Sequence, residues 1–593
     1  MTDSPLMADG ESAADAAGRV ALERVFTCLD DGRSFRLEAG AGAGKTYSLE
    51  KVLRRLLALR GTELLRNRQQ IGCITFTNVA KDEITSRVQA HPAVRPDTIH
   101  GFCWSLLQDF QPDIRSLVPK LEGWTDRLAE ADVADIGVRT VQYELGYPRV
   151  TETEVSLRHE DVLTLMTALL ARPKFRAVMT ARYPILLIDE YQDTDAGFVH
   201  ALKQYFLDTG TGPIVGLFGD HWQKIYGEGC GAVEHAALEV IDKNANFRSA
   251  GPIVSMLNRM RPALPQIPSD ADVPGEARLF HTNAWPGQRR TGQGGGHWTG
   301  DTSAEAARAY FDLLKARLIS EGWDFSVERT KILMLSHSVL AREQGYSTIQ
   351  QIYGQFNDAW LKKEDPHIKF LADHLEPACA AFRAQRYGEM FECLDAGRPS
   401  IRRHRDKAAW TQSFQELIEL RQTGTIGQVI DFMRAQVHMR IPQAVVDRED
   451  RLAAVGADPV EGEPRRVTQL RRLREVPYVE LIALDAFIDG HTPFATKHGV
   501  KGAQFENVLV IVGRGWNKYN FAQMLEWVDP GPPEDKAAFF ESNRNLFYVA
   551  CSRPKRRLAL LFTQVLSTAA LTKVGELFGE ENVIALPADP SAA

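Results

Sequence analysis

The sequence predicts an α/β protein built on parallel sheets that are interrupted by helical insertions. Short apolar runs alternate along the chain with helix-like stretches, a pattern typical of parallel sheets covered by helices. At 593 residues the chain is long enough for roughly four compact units. The strand-like runs are Ser34–Glu38, Ile71–Phe76, Ile185–Asp189, Ile214–Asp220, Lys331–Leu335, Asn507–Val512 and Leu558–Phe562.

Two long stretches depart from this alternation. Residues 112 to about 183 and about 347 to 476 have mostly helical patterns, and the second stretch is rich in charged and aromatic residues. We interpret both stretches as helical insertions into the α/β framework.

Composition excludes several classes of protein. Hydrophobic residues make up 44% and charged residues 25% of the chain, and no apolar run approaches the ~18 residues that a membrane span needs. The N-terminus has neither the basic start nor the apolar stretch of a signal peptide, so we expect a cytoplasmic protein that does not bind membranes. The seven cysteines are scattered singly, without the spacing of a zinc or iron–sulfur site.

The charge distribution limits where a nucleic acid could bind. Because the net charge is −7, any such contact must be confined to a local groove. Each basic run of the chain is also compatible with a solvated helix face, and the second run fits either a duplex contact or a protein interface. The basic runs are Arg402–Arg405, Arg465–Arg474 and Lys555–Arg557.

A glycine-rich segment between the first strand-like run and a helical pattern predicts a phosphate-binding loop. Glycines let backbone N–H groups approach phosphates, Lys45 supplies a positive charge, and Thr46 offers its hydroxyl to Mg²⁺. Ala39 stands where the strict motif has its first glycine, and a merely structural glycine turn is the alternative. The residues predicted to bind the nucleotide here are Ala39, Gly40, Ala41, Gly42, Ala43, Gly44, Lys45, Thr46 and Tyr47.

The segment ILLIDEYQDTD predicts the acidic part of the same site. A buried strand would deliver Asp189 and Glu190 to its carboxyl end, beside the phosphate-binding loop. Asp189 would then hold Mg²⁺, while Glu190 would orient or deprotonate the attacking water. Two adjacent acids at a strand end are also common in turns, but their order behind a phosphate loop favours catalysis.

The phosphate-binding loop and the acidic segment, taken together with further motifs, resemble those of superfamily 1 helicases of the UvrD/Rep/PcrA type, which are also related to the RecB motor. The resemblance covers about residues 35–563 and implies two RecA-like motor domains with helical insertion domains, driven by ATP and Mg²⁺. The matching motifs are DEYQDTD (Asp189–Asp195), ITFTNVAKDEI (Ile74–Ile84), TIHGFCWSLL (Thr98–Leu107), GDHWQKIY (Gly219–Tyr226), NFRS (Asn246–Ser249), TKHGVKGAQF (Thr496–Phe505) and LFYVACSRPK (Leu546–Lys555).

The resemblance also implies a division of the chain into domains. Each motor domain would be formed by two separate pieces, with a helical insertion between them. The expected ranges are a tail at 1–17, the first motor domain at 18–112 and 184–260 with its insertion at 113–183, the second motor domain at 261–346 and 477–575 with its insertion at 347–476, and a tail at 576–593.

By resemblance, residues from later motifs complete the nucleotide site. Gln223 would sense the γ-phosphate, and Arg248 and Arg553 would reach it from the far side of a cleft, neutralising charge in the transition state. Gly502 would contact the nucleotide, and Gln504 would contact its sugar. Closure of the cleft would assemble the catalyst, and hydrolysis would let it open again.

The resemblance further implies a sequence-tolerant grip on single-stranded or tailed duplex DNA, with movement in the 3′ to 5′ direction. Core packing is the alternative for Phe76, Phe102 and Tyr226, and a purely structural histidine is the alternative for His100 and His498. The candidate DNA contacts are Phe76, Thr77, Asn78, His100, Phe102, Tyr226, Thr496 and His498.

The chain departs from the family pattern at three places. No glutamine precedes Gln69, although relatives usually have an upstream glutamine that recognises adenine. Glu228 and Gly229 replace the usual aromatic and arginine after Tyr226, so one stacking platform is missing and Trp222 is the candidate replacement. Gln504 replaces a common glutamate. No nuclease signature occurs, so we do not expect the chain to cut DNA.

Three functions compete at this stage. The first is a DNA-dependent ATPase that translocates on single strands and unwinds duplexes. The second is a DNA-end or single-strand sensor whose ATP cycle regulates a partner nuclease in bacterial anti-phage defence, with little unwinding of its own. The third is a nucleotide-binding scaffold without turnover, which the presence of Lys45, Glu190, Arg248 and Arg553 disfavours.

Overall fold

A computed structural model describes residues 11–590. Its description leaves out 134, 144–147, 226, 228, 292–298, 335–336, 354–359, 362, 395–403, 437–439, 457–461, 491–493, 497–502 and 514–518, and the side chains of 337–339, 404–406 and 494–496.

The first half of the chain forms a six-stranded sheet, here called the first sheet. All of its strand pairs are parallel, so the carboxyl ends of its strands meet at one edge. The strands in spatial order are Val94–Thr98, Ile71–Thr75, Ile185–Asp189, Ile214–Gly219, Phe35–Ala39 and Glu239–Lys243.

The second half forms another six-stranded sheet, here called the second sheet, which is also parallel throughout. Its strands in spatial order are Phe494–Thr496, Thr330–Met334, Phe505–Val512, Pro554–Phe562, Glu276–His281 and Val583–Ala585. The predicted α/β class, with two parallel sheets and helical insertions, is confirmed.

Helices cover both sheets and fill their connections. Those associated with the first sheet and its insertion are Ala13–Asp30, Lys45–Arg66, Asn78–Arg87, Ile99–Leu107, Gln111–Leu117, Trp124–Glu130, His159–Leu170, Pro173–Arg182 and Ala196–Leu202. Those flanking the second sheet are Gly251–Met260, Ala304–Ser320, His337–Gln344, Phe521–Glu526, Ala537–Cys551 and Thr568–Phe578.

The stretch after Gln111, expected to be helical, also contains a small three-stranded sheet. Its strands are Thr140–Gln142, Arg149–Val150 and Glu154–Ser156. The stretch shares one apolar core with a face of the first sheet, since Leu165 and Val155 belong to the same buried cluster as Leu186 and Ile188.

A second group of helices, here called the helical unit, lies between Ser347 and Ile488. It has an apolar core of its own, in which Trp360, Phe414 and Leu481 are buried. Its helices are Ser347–Tyr353, Pro366–Phe370, Glu376–Arg383, Tyr387–Cys393, His404–Thr423, Ile426–Ala435, Gln443–Val455, Arg465–Arg474 and Tyr478–Ile488.

Each of the seven predicted strand-like runs overlaps an observed strand. The prediction missed the edge strands of both sheets, Val94–Thr98, Glu239–Lys243, Phe494–Thr496 and Val583–Ala585, and also the inner strand Glu276–His281. Among the described residues, no helix combines the length and apolar character needed to cross a membrane.

Candidate functional site

The phosphate-binding loop, residues 39–46, connects the strand Phe35–Ala39 to the helix Lys45–Arg66. Gly42 and Gly44 have φ values of 79° and 74°, which side-chain-bearing residues rarely adopt. A Cβ atom on Gly42 would also lie only 2.7 Å from Asn246 Oδ1 and 2.8 Å from Arg248 Cβ. Because the loop ends at the N-terminus of a 22-residue helix, its free N–H groups and the helix dipole favour an anion such as phosphate.

A second lysine supports this loop and was not found from the sequence. Lys243 Nζ donates to Gly44 O at 3.2 Å and to Ser48 Oγ at 2.8 Å. Burial, assisted by the nearby charge of Lys45, lowers the pKa of Lys243 to about 8. Lys243 ends an edge strand, and no local sequence pattern distinguishes it from a surface lysine.

The predicted acidic pair lies at the carboxyl edge of the first sheet, beside Lys45. Lys45 Nζ is 3.6 Å from Glu190 Oε1, and Gln192 Nε2 donates to Glu190 Oε2 at 2.5 Å. Glu190 has a φ of 49°, a left-handed conformation that non-glycine residues adopt at a cost of about 1–3 kcal/mol. Backbone strain of this kind is frequent at catalytic positions.

The surroundings of Asp189 fit a magnesium ion. Burial and the charge of Glu190 raise the pKa of Asp189 to about 7, against the opposing charge of Lys45. The carboxylate of buried Asp189 and the hydroxyl of half-buried Thr46 are oxygen ligands of the kind that Mg²⁺ prefers.

Residues from the two halves of the chain meet at Gln223. Arg553 Nη2 donates to Gln223 Oε1 at 3.1 Å, and Arg248 Nη1 donates to Ser552 O at 3.0 Å. Burial, together with the neighbouring charge of Arg248, lowers the pKa of Arg553 to about 9. Arg248 Nε is buried without a hydrogen-bond partner among the described residues. Two clustered, poorly compensated guanidinium groups are suited to receive a polyanion.

Further contacts between distant parts of the chain hold the phosphate-binding loop against the second sheet. Ala41 N donates to Tyr548 Oη at 3.3 Å, and Asn246 Nδ2 donates to Ala41 O at 3.0 Å. Ala41 also belongs to the apolar core of the second sheet, with Leu279 and Val510. The sequence motifs indicated neither contact, although both Asn246 and Tyr548 lie within them.

The predicted nucleotide contacts of Gly502 and Gln504 are only partly described. Gly502 lies outside the described residues, and Gln504 is exposed immediately before the strand Phe505–Val512. The contact of Gln504 with a nucleotide sugar therefore stays a prediction.

Three candidate DNA contacts lie together at the carboxyl edge of the first sheet. Phe76 is 40% exposed, and Thr77 and Asn78 are exposed beside it. Thr77 caps the helix Asn78–Arg87 by accepting a hydrogen bond from Ala80 N at 3.2 Å. These three side chains are accessible to a nucleic acid strand.

The remaining candidate DNA contacts differ in their surroundings. The ring of half-buried His100 lies 4.7 Å from that of His159, and burial, followed by the charge of His159, lowers the pKa of His100 to about 4. His100 is therefore neutral near pH 7. Tyr226 and His498 lie outside the described residues, and only the backbone of Thr496 is described.

Phe102 requires a correction, because its side chain is fully buried. Its ring packs 4.9 Å from that of Tyr183 inside the core, so it cannot stack on a base in this structure. Trp222, the suggested replacement platform, is likewise occupied: the guanidinium groups of Arg544 and Arg261 lie 4.1 Å and 5.4 Å from its ring centre.

The basic runs are partly structural. In the helix Arg465–Arg474, Arg471 pairs with Glu463 and Arg474 pairs with Glu449 and Asp431. In the third run, Arg556 pairs with Glu506 and Arg557 lies 3.8 Å from Glu276. The first run, Arg402–Arg405, lies outside the part of the chain whose side chains are described.

Comparison with known proteins agrees with this site. A family model described as "AAA domain" matches residues 27–228, which contain the phosphate-binding loop and the acidic pair. The Gabija protein GajB of Bacillus cereus is 23% identical over 94% of this chain and 97% of its own length. The ATP-dependent DNA helicase UvrD1 of Mycobacterium leprae is 27% identical over 28% of each chain. In these comparisons the chain is similar to UvrD-like helicases of superfamily 1.

Proposed function

We propose that this chain is a DNA-dependent ATPase that moves 3′ to 5′ along single-stranded DNA. One observation carries the proposal: Arg553 contacts Gln223 directly, at 3.1 Å, although the two residues are 330 positions apart. A hydrolytic site divided between two sheets changes shape when the nucleotide is consumed, which is what a motor needs.

The proposed chemistry assigns a role to each side of the cleft. Lys45 and the backbone N–H groups of the phosphate-binding loop hold the phosphates of ATP, and Glu190 orients or deprotonates the attacking water. Thr46 and Asp189 would hold Mg²⁺, which would neutralise charge on the phosphate oxygens. Arg248 and Arg553 stabilise the charge of the transition state, for which an arginine is worth about 10³–10⁵ in rate.

Gln223 links hydrolysis to DNA in this proposal. It lies four residues after Gly219, which ends an inner strand of the first sheet, and so near the sheet edge that carries exposed Phe76, Thr77 and Asn78. Loss of the γ-phosphate would release the contact between Gln223 and Arg553, and the two sheets would then move relative to each other. Alternating grips on a strand convert this motion into stepping.

A second candidate function is a DNA-end or single-strand sensor that regulates a partner nuclease in anti-phage defence. The similarity to a Gabija protein, GajB, over 94% of the chain supports this setting. The packing of Trp222 between Arg544 and Arg261 supports it too, because a ring held by two guanidinium groups is a poor replacement for the missing stacking platform.

Strand displacement by the isolated protein distinguishes the two functions. We expect single-stranded DNA to stimulate ATP hydrolysis, and unwinding of a 3′-tailed duplex, but not of a 5′-tailed one, supports the motor. Stimulated hydrolysis without displacement of either duplex supports the sensor instead. Glu190→Gln is the control for contaminating ATPases, and wild-type turnover by this variant would contradict the catalytic assignment.

DNA binding should depend strongly on salt. If phosphates are held mainly by positive charge, the logarithm of the affinity for single strands falls linearly with the logarithm of salt concentration. A salt-insensitive association would indicate that the main ligand is a protein.

A further inference from the structure

A buried group of charges connects the sensor loop, residues 220–224, to Glu38 and Arg261, which lie outside the motif that contains this loop. The group, here called the Arg261 cluster, consists of Arg261, Glu38, Asp220 and His221. The side chains of Arg261 and Glu38 are each 4% exposed, and that of Asp220 is fully buried. Charges buried this deeply require close partners.

Glu38 joins the cluster to the phosphate-binding loop, because it precedes Ala39 in the same strand. Its carboxylate accepts hydrogen bonds from Arg261 Nη2 at 2.9 Å and from Tyr191 Oη at 2.7 Å, and it lies 2.7 Å from His221 Nδ1. Burial opposes ionisation, but the bonds from His221 and Tyr191 and the charge of Arg261 hold the pKa of Glu38 at about 2. Glu38 is therefore an anion at physiological pH.

Asp220 joins the cluster to the sensor loop. Arg261 Nη1 donates to Asp220 Oδ1 at 2.5 Å, and Gln223 Nε2 donates to Asp220 Oδ2 at 2.7 Å. With its amide nitrogen bonded to Asp220, Gln223 presents its amide oxygen to Arg553. A continuous chain of hydrogen bonds thus runs from Arg261 through Asp220 and Gln223 to Arg553.

The cluster is not a cation site, although Glu38, Asp220 and His221 have ligand atoms within 4.8 Å of one another. The guanidinium of Arg261 already bridges both carboxylates, and the charge of a metal ion would compete with it. Arg261 is the cation of this site.

Arg261 comes from the opposite side of the cleft. It follows the helix Gly251–Met260, whose Ile253, Met256 and Leu257 pack in the core of the second sheet with Leu560. Arg261 therefore fixes the sensor loop and the strand of the phosphate-binding loop to an element that belongs to the core of the second sheet.

We propose that Arg261 is a positioning residue, which orients Gln223 through Asp220 so that Gln223 meets Arg553. The inference rests on the proposed ATPase function, because it concerns how that site is assembled. Arg261 does not touch the phosphate-binding loop itself in the contacts described here, so its loss should impair turnover more than nucleotide binding.

A double-mutant cycle between Arg261→Gln and Gln223→Ala tests the proposal. We expect Arg261→Gln to lower the DNA-stimulated kcat by about tenfold or more, with the Kd for a fluorescent, non-hydrolysable ATP analogue changed less than about twofold. In the Gln223→Ala background, Arg261→Gln should lower kcat no further than about twofold, because the two residues act as one unit.

A matched control separates positioning from structural support. Arg421 of the helical unit is also 4% exposed and is also paired with a largely buried carboxylate, that of Glu376. Arg421→Gln should lower the melting temperature without lowering the kcat of the folded protein. If Arg261→Gln behaves as Arg421→Gln does, with lower stability and wild-type kcat, the proposal is overturned.

Two further outcomes are decisive. If Arg261→Gln lowers kcat equally in the wild-type and Gln223→Ala backgrounds, Arg261 does not act through Gln223 and the proposal fails, while the ATPase function stands. If Arg261→Gln does not fold, Arg261→Lys keeps the charge but cannot bridge both carboxylates in the same way, and wild-type kcat in that variant would overturn the proposal. A wild-type protein without DNA-stimulated ATPase would refute the proposed function itself, and the positioning role with it.

Discussion

Arg261 in the cleft and Arg421 in the helical unit have similar surroundings, but their hydrogen bonds lead to different parts of the molecule. Each is 4% exposed; Arg261 is paired with two carboxylates and Arg421 with one. Each also lies over an aromatic ring, Arg261 over Trp222 at 5.4 Å and Arg421 over Tyr478 at 5.7 Å. The interactions of Arg421 stay within the helical unit, since Glu376 also accepts a hydrogen bond from the hydroxyl of Tyr478 in the same core. Those of Arg261 continue through Asp220 to Gln223 and Arg553.

From this difference we expect buried ion pairs of the same chemistry to have different consequences. An ion pair whose hydrogen bonds stay within one core should affect only the stability of that core. Under our proposal, an ion pair that continues into hydrogen bonds with Gln223 and Arg553 should also affect catalysis. Four measurements test this contrast, beginning with the largest expected effect.

Arg553→Ala should give the largest loss of activity. Within the described part of the chain, Arg553 donates hydrogen bonds only to uncharged groups, Val549 O, Gln223 Oε1 and Ser552 Oγ. Its removal therefore leaves no buried carboxylate unpaired. We expect kcat to fall by about 10³ or more, with a small change in melting temperature. A fall of less than about tenfold in DNA-stimulated ATP hydrolysis would contradict the catalytic role.

Arg421→Ala should give the largest loss of stability. Removing one member of a buried ion pair leaves the other charge unpaired and typically costs about 3–5 kcal/mol. We expect that loss in urea unfolding of the helical unit, while the folded protein keeps its kcat. Arg386→Ala is the matched control in the same unit, because Arg386 and Glu389 form an exposed pair 2.9 Å apart. The control should change the stability by less than about 0.5 kcal/mol.

Glu38 should make the stability of the first sheet depend on pH. Its pKa of about 2 lies below its ordinary value of 4.5, so ionised Glu38 stabilises the folded state by about 3 kcal/mol above pH 4.5. This stabilisation is lost progressively as the pH falls from 4.5 towards 2. In urea unfolding between pH 7 and pH 3, the difference in free energy of unfolding between wild type and Glu38→Gln should become smaller as the pH falls. A difference in free energy of unfolding that stays constant with pH would show that the charge of Glu38 does not contribute to stability.

The smallest expected effect concerns exposed aromatic side chains. Phe76 at the edge of the first sheet is 40% exposed, and Tyr387 in the helical unit is 50% exposed. Stacking on a base is worth about 1–3 kcal/mol, so Phe76→Ala should weaken binding to single-stranded DNA by roughly tenfold. Tyr387→Ala should leave that affinity unchanged. If fluorescence anisotropy shows the same loss of DNA affinity for both variants, Phe76 is not a specific DNA contact.

The inner strands could largely be predicted from the sequence, and the edge strands could not. The residues of Ile71–Thr75 and Ile185–Asp189 are all buried, so both strands appear as continuous apolar runs. Val94–Thr98 has a neighbour on one side only and contains arginine, proline and aspartate, which an edge strand tolerates. The remaining edge strands are short or polar for the same reason.

Residues within motifs could be proposed for the nucleotide site from the sequence, whereas Arg261, which supports the sensor loop, could not. Gly42, Gly44, Lys45 and Glu190 belong to local motifs whose spacing reflects a strand followed by a phosphate loop or an acidic loop. Arg261 has no such motif, because its partners Asp220 and Glu38 are 41 and 223 positions away.

The error at Phe102 has a different physical origin. A motif records that an aromatic side chain occurs at a position, but it does not record whether that side chain faces a groove or the core. Phe102 and Phe76 look equivalent as predicted DNA contacts, and only their burial separates them.

The contact between Ala41 and Tyr548 has a consequence for the biosynthesis of the protein. The two residues are separated by 507 positions, and a ribosome adds about 5–20 residues per second, so between about 25 and 100 seconds pass before the second follows the first. During that interval the nascent chain carries a phosphate-binding loop that still lacks Arg248, Arg553 or both. The proposed ATPase site is therefore completed only after most of the chain has been synthesised.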